Sequence, residues 1–195
     1  MIAIIDLGIG NLANVQKALN GEVTTDPIDI KRADKIVIPG VGNFGAVVDT
    51  MDKFRNVIGE SVSQGKPTLG ICLGMQLLFE ESEEEKGAGL GIFPGRVVKF
   101  REVSVPHIGW NQLRFSGDCP LLGGIDSGDF VYFVHSYYVE PEESDTIVAS
   151  TDYQTGENIV EFPSIVWEDN VYGVQFHPEK SGKVGLQMLD NFKEL

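Results

Sequence analysis

Thr68-Leu-Gly-Ile-Cys-Leu-Gly-Met-Gln-Leu-Leu-Phe79 starts as an apolar strand, turns at a cysteine and leaves as a helix. Gly70 and Gly74 flank Cys72 at two residues on either side, the layout of a nucleophile elbow with sulfur in place of a hydroxyl. At such a turn backbone approaches backbone, and only glycine lacks a Cβ to clash. The cysteine opens a helix, whose positive dipole end favours a thiolate. Gln76 lies one turn further on, on the side of the helix that holds Cys72. The competing reading is a structural cysteine in a tight junction, since free cysteine is among the most buried residue types. The stretch becomes a site only with a base, an orienting group and an oxyanion pocket elsewhere.

Outward from the elbow, the first half of the chain alternates strands and helices. Ile2 to Leu7, Glu22 to Asp26 and Ile36 to Ile38 read as short buried strands. Gly8-Ile-Gly-Asn11 is a glycine turn in which Asn11 can cap a helix carrying Leu12, Val15 and Leu19. It lacks the third glycine of a dinucleotide fingerprint. Val47, Met51, Phe54 and Ile58 form one helical stripe. This is a parallel α/β pattern, and such sheets bind ligands beyond the carboxyl ends of their strands, where Cys72 and Pro39-Gly-Val-Gly42 both fall.

From Gly87 onward, short alternating runs separated by glycine and proline predict antiparallel strands over Arg96 to Phe100, His107 to Phe115, Phe130 to Val139, Thr146 to Ser150 and Ile159 to Trp167. Val171 to Phe176 is a last strand. Ser181 is placed to cap a final helix with Met188, Leu189, Phe192 and Leu195 facing inward. The expected architecture is a single domain over 1–195: an open, mostly parallel sheet flanked by helices, with an antiparallel extension in the second half.

A length of 195 residues suits one well-cored domain. The net charge of −14 argues against nucleic acid and anionic membranes as partners. The run Glu80-Glu-Ser-Glu-Glu-Glu85 reads mostly as a solvated helix end. Two cysteines make no disulfide framework, and no metal-ligand spacing is present. Met1 is followed at once by a strand, with no basic leader and no membrane-length apolar run, so the expected location is the cytoplasm.

His177-Pro-Glu179 supplies the missing partners. Pro178 holds the backbone extended, so Glu179 can contact the His177 ring and fix its tautomer, as the third member of a triad does. The alternative is a surface turn. His135, in Tyr132-Phe-Val-His-Ser-Tyr-Tyr138, is open to burial as a satisfied core group. Neither it nor His107 has a neighbouring carboxylate. Cys119, in a turn without an elbow, is a bystander. Oxyanion donors are expected from the amide of Leu73, next after the nucleophile, and from that of Val41.

Taken together, Gly70-Ile-Cys-Leu-Gly-Met-Gln76 and His177-Pro-Glu179 resemble the class I glutamine amidotransferases, whose sheet is flavodoxin-like. Asp6-Leu-Gly-Ile-Gly-Asn11, Pro39-Gly-Val-Gly-Asn-Phe44, Pro106-His-Ile-Gly-Trp-Asn111 and Tyr132-Phe-Val-His-Ser-Tyr137 are similar to the glutaminase-subunit family of imidazole glycerol phosphate synthases. These motifs run over nearly the whole chain. One departure is Leu7, where that family usually has tyrosine.

The resemblance implies Cys72 as nucleophile, His177 as acid/base and Glu179 as its orienting partner. It implies that Gly42, Gln76, Glu84 and the Ser136-Tyr137 backbone hold L-glutamine, with no cofactor. It also implies a (β/α)8-barrel cyclase partner that receives the ammonia in histidine biosynthesis. Asn11, Trp110 and Asn111 are expected at the partner face, although a core role for Trp110 stays open. A sibling glutaminase, such as the pyridoxal phosphate synthase subunit, would share the triad, but the Asp6–Asn11 and Pro106–Asn111 stretches fit the histidine-pathway family. A thiol peptidase and a binding-only subunit are the readings from other classes.

Overall fold

The computed structural model describes residues 1–9, 12–85 and 87–195. Expectations resting on Asn11, both as helix cap and as partner contact, lie outside the described residues. Strands β1 (Ile2–Ile5), β2 (Glu22–Thr24), β3 (Lys35–Ile38) and β4 (Thr68–Ile71) are parallel. They pair in the order β2-β1-β3-β4 and continue through a later strand, β12 (Val171–Val174), parallel to β4. The long hairpin β10 (Ile147–Thr155) and β11 (Asn158–Glu168) then extends the sheet in antiparallel fashion. The mixed open sheet matches the expectation.

Strand alternation divides the core between the two faces of the sheet. On one face Ile4, Val37, Leu69 and Ile71 meet Val15 and Leu19 of α1 (Leu12–Leu19) and Met188, Leu189 and Phe192 of α5 (Gly182–Glu194). On the other face Ala3, Ile5, Ile36 and Ile38 meet Ile30 of α2 (Pro27–Arg32) and the Val47-Met51-Phe54-Ile58 stripe of α3 (Gly45–Ser63). The short α4 (Leu73–Leu77) follows Cys72 and is buried throughout.

Beyond the sheet lie two smaller pairings. β5 (Glu81–Ser82), β6 (Gly95–Lys99) and β9 (Tyr137–Pro141) form one, and β7 (His107–Gln112) with β8 (Phe130–His135) forms the other.

Several expectations need correction. The strand expected over Phe130 to Val139 breaks at Ser136, where the chain leaves β8 for a different sheet. The segment expected to be strand up to Asp26 instead ends at Thr24, and Asp26 caps α2 by accepting from the Ile28 amide at 2.9 Å. At six residues, α2 is too short to show a helical period, although Pro27 at its first turn was a start signal. The acidic run is no helix end, because α4 stops at Leu77 and Glu81 and Ser82 form β5. Leu195 is 40% exposed rather than inward. Ser181 precedes α5 but makes no side-chain cap; its hydroxyl is used elsewhere, as described below.

The contact that places the elbow is between α4 and β3. A Cβ on Gly74 would sit 1.7 Å from the Ile38 carbonyl oxygen, whereas one on Gly59, on the exposed side of α3, would meet nothing. Gly74→Ala is therefore expected to lose about 1–3 kcal/mol or more through overpacking. Gly59→Ala should gain up to about 1 kcal/mol from helix propensity. Urea midpoints of the two variants check the pair, and a Gly74→Ala as stable as the parent would remove the close contact from the account.

Candidate active site

β3, β4 and β12 are neighbours, and their carboxyl ends deliver the three parts of the site. β3 runs into Pro39-Gly-Val-Gly42, β4 into Cys72, and β12 into Gln175-Phe176-His177. Cys72 has φ 53° and ψ −107°, left-handed backbone that a side chain resists. The turn closes because Gly70 packs directly under Gly74, where a Cβ would come within 2.6 Å of the Gly74 carbonyl oxygen. The cysteine amide is tied to the Val174 carbonyl at 2.7 Å, which locks the elbow to β12.

His177 and Glu179 form the expected pair. Nδ1 of His177 donates to Glu179 Oε1 at 2.9 Å, with the two side chains only 1% and 4% exposed. The His177 amide donates to the Tyr132 carbonyl, and the Ser181 hydroxyl donates to the His177 carbonyl while accepting from the Tyr132 amide. Ser181 thus fastens the histidine segment to β8. Burial opposes charge on the imidazole, but the adjacent Cys72 and Glu179 outweigh it and raise its pKa to about 9. Even so, Nε2 of His177 has no aligned hydrogen-bond partner. The Cys72 sulfur accepts from Gln175 Nε2 at 3.6 Å and faces the Val134 carbonyl at 3.9 Å. Sulfur and ring are near enough that Cys72 raises the ring's pKa by hydrogen bonding and by charge, although the two are not well aligned.

Beside Cys72 opens a cavity of about 190 Å³ lined by Val41, Gly42, Leu73, Gln76, Glu84, Ser136 and Tyr137, together with Pro106, Val134 and His135. Cavities for drug-sized ligands run to about 300–1,000 Å³, so this one suits a single small molecule. A larger groove of about 430 Å³ lies elsewhere, among Glu83, Arg96, Lys99, Arg101 and Glu140. Arg96 and Arg101 there are paired with Glu140 and Glu83, and no triad member lines it.

Glu84 accepts from the Phe44 amide at 2.6 Å, which holds its carboxylate at the cavity and sets it apart from the rest of the acidic run. Gln76 donates to the Tyr137 carbonyl at 3.0 Å and to Gln175 Oε1 at 3.2 Å, so its amide nitrogen is engaged within the protein. The Leu73 amide donates to the Gly40 carbonyl at 3.4 Å, and Val41 is 38% exposed.

His135 is buried and satisfied: Nδ1 meets the Tyr137 carbonyl and Nε2 meets His107 Nδ1 at 3.0 Å. Burial lowers its pKa to about 3. His107 in turn meets Asn111 Oδ1 at 2.8 Å, and Asn111 donates to the Asp152 carbonyl. The Asn111 side chain is therefore engaged within the protein, while Asn111 stays half-buried beside Trp110. Trp110, next to it on β7, is 51% exposed and rests against Tyr132 with ring centroids 5.9 Å apart. Cys119 is buried, which raises its pKa to about 11, and it lies outside the cavity lining. Gln175, fully buried against the nucleophile candidate, was not singled out from sequence; its one signal was its place two residues before His177.

The glutamine amidotransferase class-I family model matches residues 3–195. The chain belongs to that family. Among curated relatives, imidazole glycerol phosphate synthase subunit HisH of Pyrococcus furiosus is 58% identical, covering 100% of this chain and 98% of the relative. The subunit of the same name from Thermococcus kodakarensis is 59% identical, with both chains covered in full. Solved structures share the amidotransferase fold at low identity. One titled glutamine amidotransferase has a TM-score of 0.75 at 15% identity, covering 100% of this chain and 99% of that one. PurLQS from Thermotoga maritima gives 0.74 at 18%, covering 98% and 96%.

The His177 pKa makes a stability prediction. The imidazole keeps its proton to about pH 9 when folded, against an ordinary value of 6.5. Its contribution is complete below pH 6.5, declines as pH rises and is gone above about 9. Glu179→Gln removes one of the two causes, so the urea midpoint should fall less over that window in the variant than in the parent. Equal pH dependence would show that Glu179 does not hold the proton.

Proposed function

We propose that Cys72, His177 and Glu179 hydrolyse the side-chain amide of L-glutamine, and that the chain passes the ammonia to a (β/α)8-barrel cyclase of an imidazole glycerol phosphate synthase in the cytoplasm. The observation that carries this is the strained Cys72 elbow facing a buried His177–Glu179 pair across neighbouring strand ends, beside a cavity of amino-acid size. Membership of the family and the names of the relatives support it.

In this mechanism the proton shared by Cys72 and His177 rests on the imidazole, as the raised His177 pKa favours, and the sulfur it leaves behind attacks the amide carbon of glutamine. As the tetrahedral intermediate collapses, the C–N bond breaks, His177 protonates the departing ammonia, and a thioester remains on Cys72. Water then attacks the thioester, giving its proton to His177; glutamate leaves and the sulfur is released. Glu84 receives the substrate's ammonium group, and Gly42, Gln76, Ser136 and Tyr137 shape the rest of the pocket.

The oxyanion pocket is closed in the arrangement described. The Leu73 amide is spent on the Gly40 carbonyl. That carbonyl and the Val41 N–H belong to one peptide unit and point opposite ways. Turning this single plane releases Leu73 and aims Val41 N–H at the substrate. Val41 is absent from the residues with positive φ, and the rotation carries it toward that region, which a β-branched side chain resists. The resting arrangement is thereby favoured until something stabilises the other. A partner holding its nucleotide can do so only by preferring the active form.

The outer face of the β7–β8 hairpin offers the docking surface. Trp110, Ile108 and Phe130 are exposed there, and Tyr132, under Trp110, accepts the His177 amide.

Cys72→Ala should abolish glutamine hydrolysis while the complex with the cyclase still makes product from free ammonia. A glutamine-shaped electrophile should label Cys72 selectively in the parent. Near-normal glutamine turnover in Cys72→Ala would end the assignment. Trp110→Ala should weaken cyclase binding, read by titration calorimetry, by about 2 kcal/mol or more if it is an interface anchor. The thermal midpoint of the isolated chain should hardly move; a lowered midpoint with unchanged binding would assign Trp110 to packing instead.

A further inference from the structure

Gln175 is wholly buried at the end of β12 and takes no part in the mechanism above. Its amide nitrogen lies 3.6 Å from the Cys72 sulfur, and its oxygen accepts from Gln76. The orientation of this amide is forced from the far end of the network. The Tyr137 carbonyl can only accept, so Gln76 must present its NH2 group there, at 3.0 Å. The same NH2 group is 3.2 Å from Gln175, so Gln175 must turn its oxygen toward Gln76. Only then is its NH2 left for the sulfur. Reversing either amide sets two donors or two acceptors face to face in a buried space.

We propose that Gln175 is the hydrogen-bond donor that holds the Cys72 sulfur in position and stabilises it as a thiolate. This rests on Cys72 being the nucleophile. A thiolate accepts a hydrogen bond far better than a thiol, so a fixed N–H beside the sulfur favours the ionised form. The donor acts twice in the cycle. It steadies the sulfur when its proton goes to His177, and again when water breaks the thioester and negative charge returns to sulfur. It also explains why the sulfur is held although His177 Nε2 has no aligned partner. Gln76 and the Tyr137 carbonyl are positioning groups for this donor. Because Ser136 and Tyr137 also line the cavity, movement of that backbone on substrate binding would be felt at the sulfur.

The test is the pH profile of Cys72 alkylation by iodoacetamide, with the modified peptide identified by mass spectrometry. It is run on the full chain of the parent, Gln175→Met and Gln175→Glu. Both substitutions keep the length of the side chain, and Gln175→Glu also keeps its shape. Loss of a hydrogen bond to a charged group should slow alkylation at pH 7 about tenfold in Gln175→Met and move the half-maximal pH upward. Gln175→Glu, which puts a carboxylate beside the sulfur, should slow it further. A role in packing alone would lower the thermal midpoint and leave the profile in place. Profiles that superimpose on the parent's overturn the inference while leaving Cys72 as the nucleophile. Failure of the parent Cys72 to react at any pH overturns both.

Discussion

The backbone at Cys72 is the constraint on which the site depends. A left-handed φ at a non-glycine residue has to be compensated, and here it is imposed from three sides. Gly70 and Gly74 let strand and helix meet with no side chain between them, Gly74 also lies against the Ile38 carbonyl of β3, and the Val174 carbonyl of β12 holds the cysteine amide. The parallel core of β3, β4 and β12 therefore determines the direction of one sulfur atom. Since the same three strand ends carry Pro39–Gly42 and His177, the sheet brings the proposed nucleophile, base and amide donors together without a long loop having to fold over them.

Placement of the parts does not by itself make the site active. The His177–Glu179 pair is formed and buried, and Cys72 and Glu179 together keep the imidazole protonated to about pH 9. The sulfur, however, is bonded to Gln175 rather than aligned with Nε2, and the Leu73 amide is held by the Gly40 carbonyl. On the function proposed above, both features fit a resting site in which the oxyanion donors are withheld. A turn of the one peptide plane between Gly40 and Val41 would then release them. For an enzyme whose product is ammonia, a slow resting state prevents release when no acceptor is waiting.

Much of this was legible in the sequence because it depends on local rules. Glycines two residues either side of a cysteine report a close backbone approach, and short apolar runs between helical stripes report the parallel strands. His-Pro-Glu does put a carboxylate on the imidazole, but Pro178–Lys180 makes a 3-10 turn where an extended segment was expected. The five residues expected around glutamine do line one cavity. What was missed depends on contacts between distant segments. The break at Ser136 follows from the two halves of an apparently continuous strand joining different sheets. Ser181 looked like a helix cap, but its hydroxyl bridges β8 and the histidine segment. The bonds of Asn111 to His107 and to the Asp152 carbonyl also join distant segments and had no local signal. Beyond its place near His177, Gln175 carries no sequence signal for its role, since its side-chain partners are Cys72 and Gln76, about a hundred residues earlier in the chain.

Glutaminase turnover tests the resting-state account most directly. It is measured for the chain alone, for the chain with its cyclase, and for the complex with the cyclase's nucleotide bound. If the Gly40–Leu73 contact withholds the oxyanion pocket, the last rate should exceed the first by about a hundred- to a thousandfold, the worth of an oxyanion donor. Equal rates in all three would contradict it.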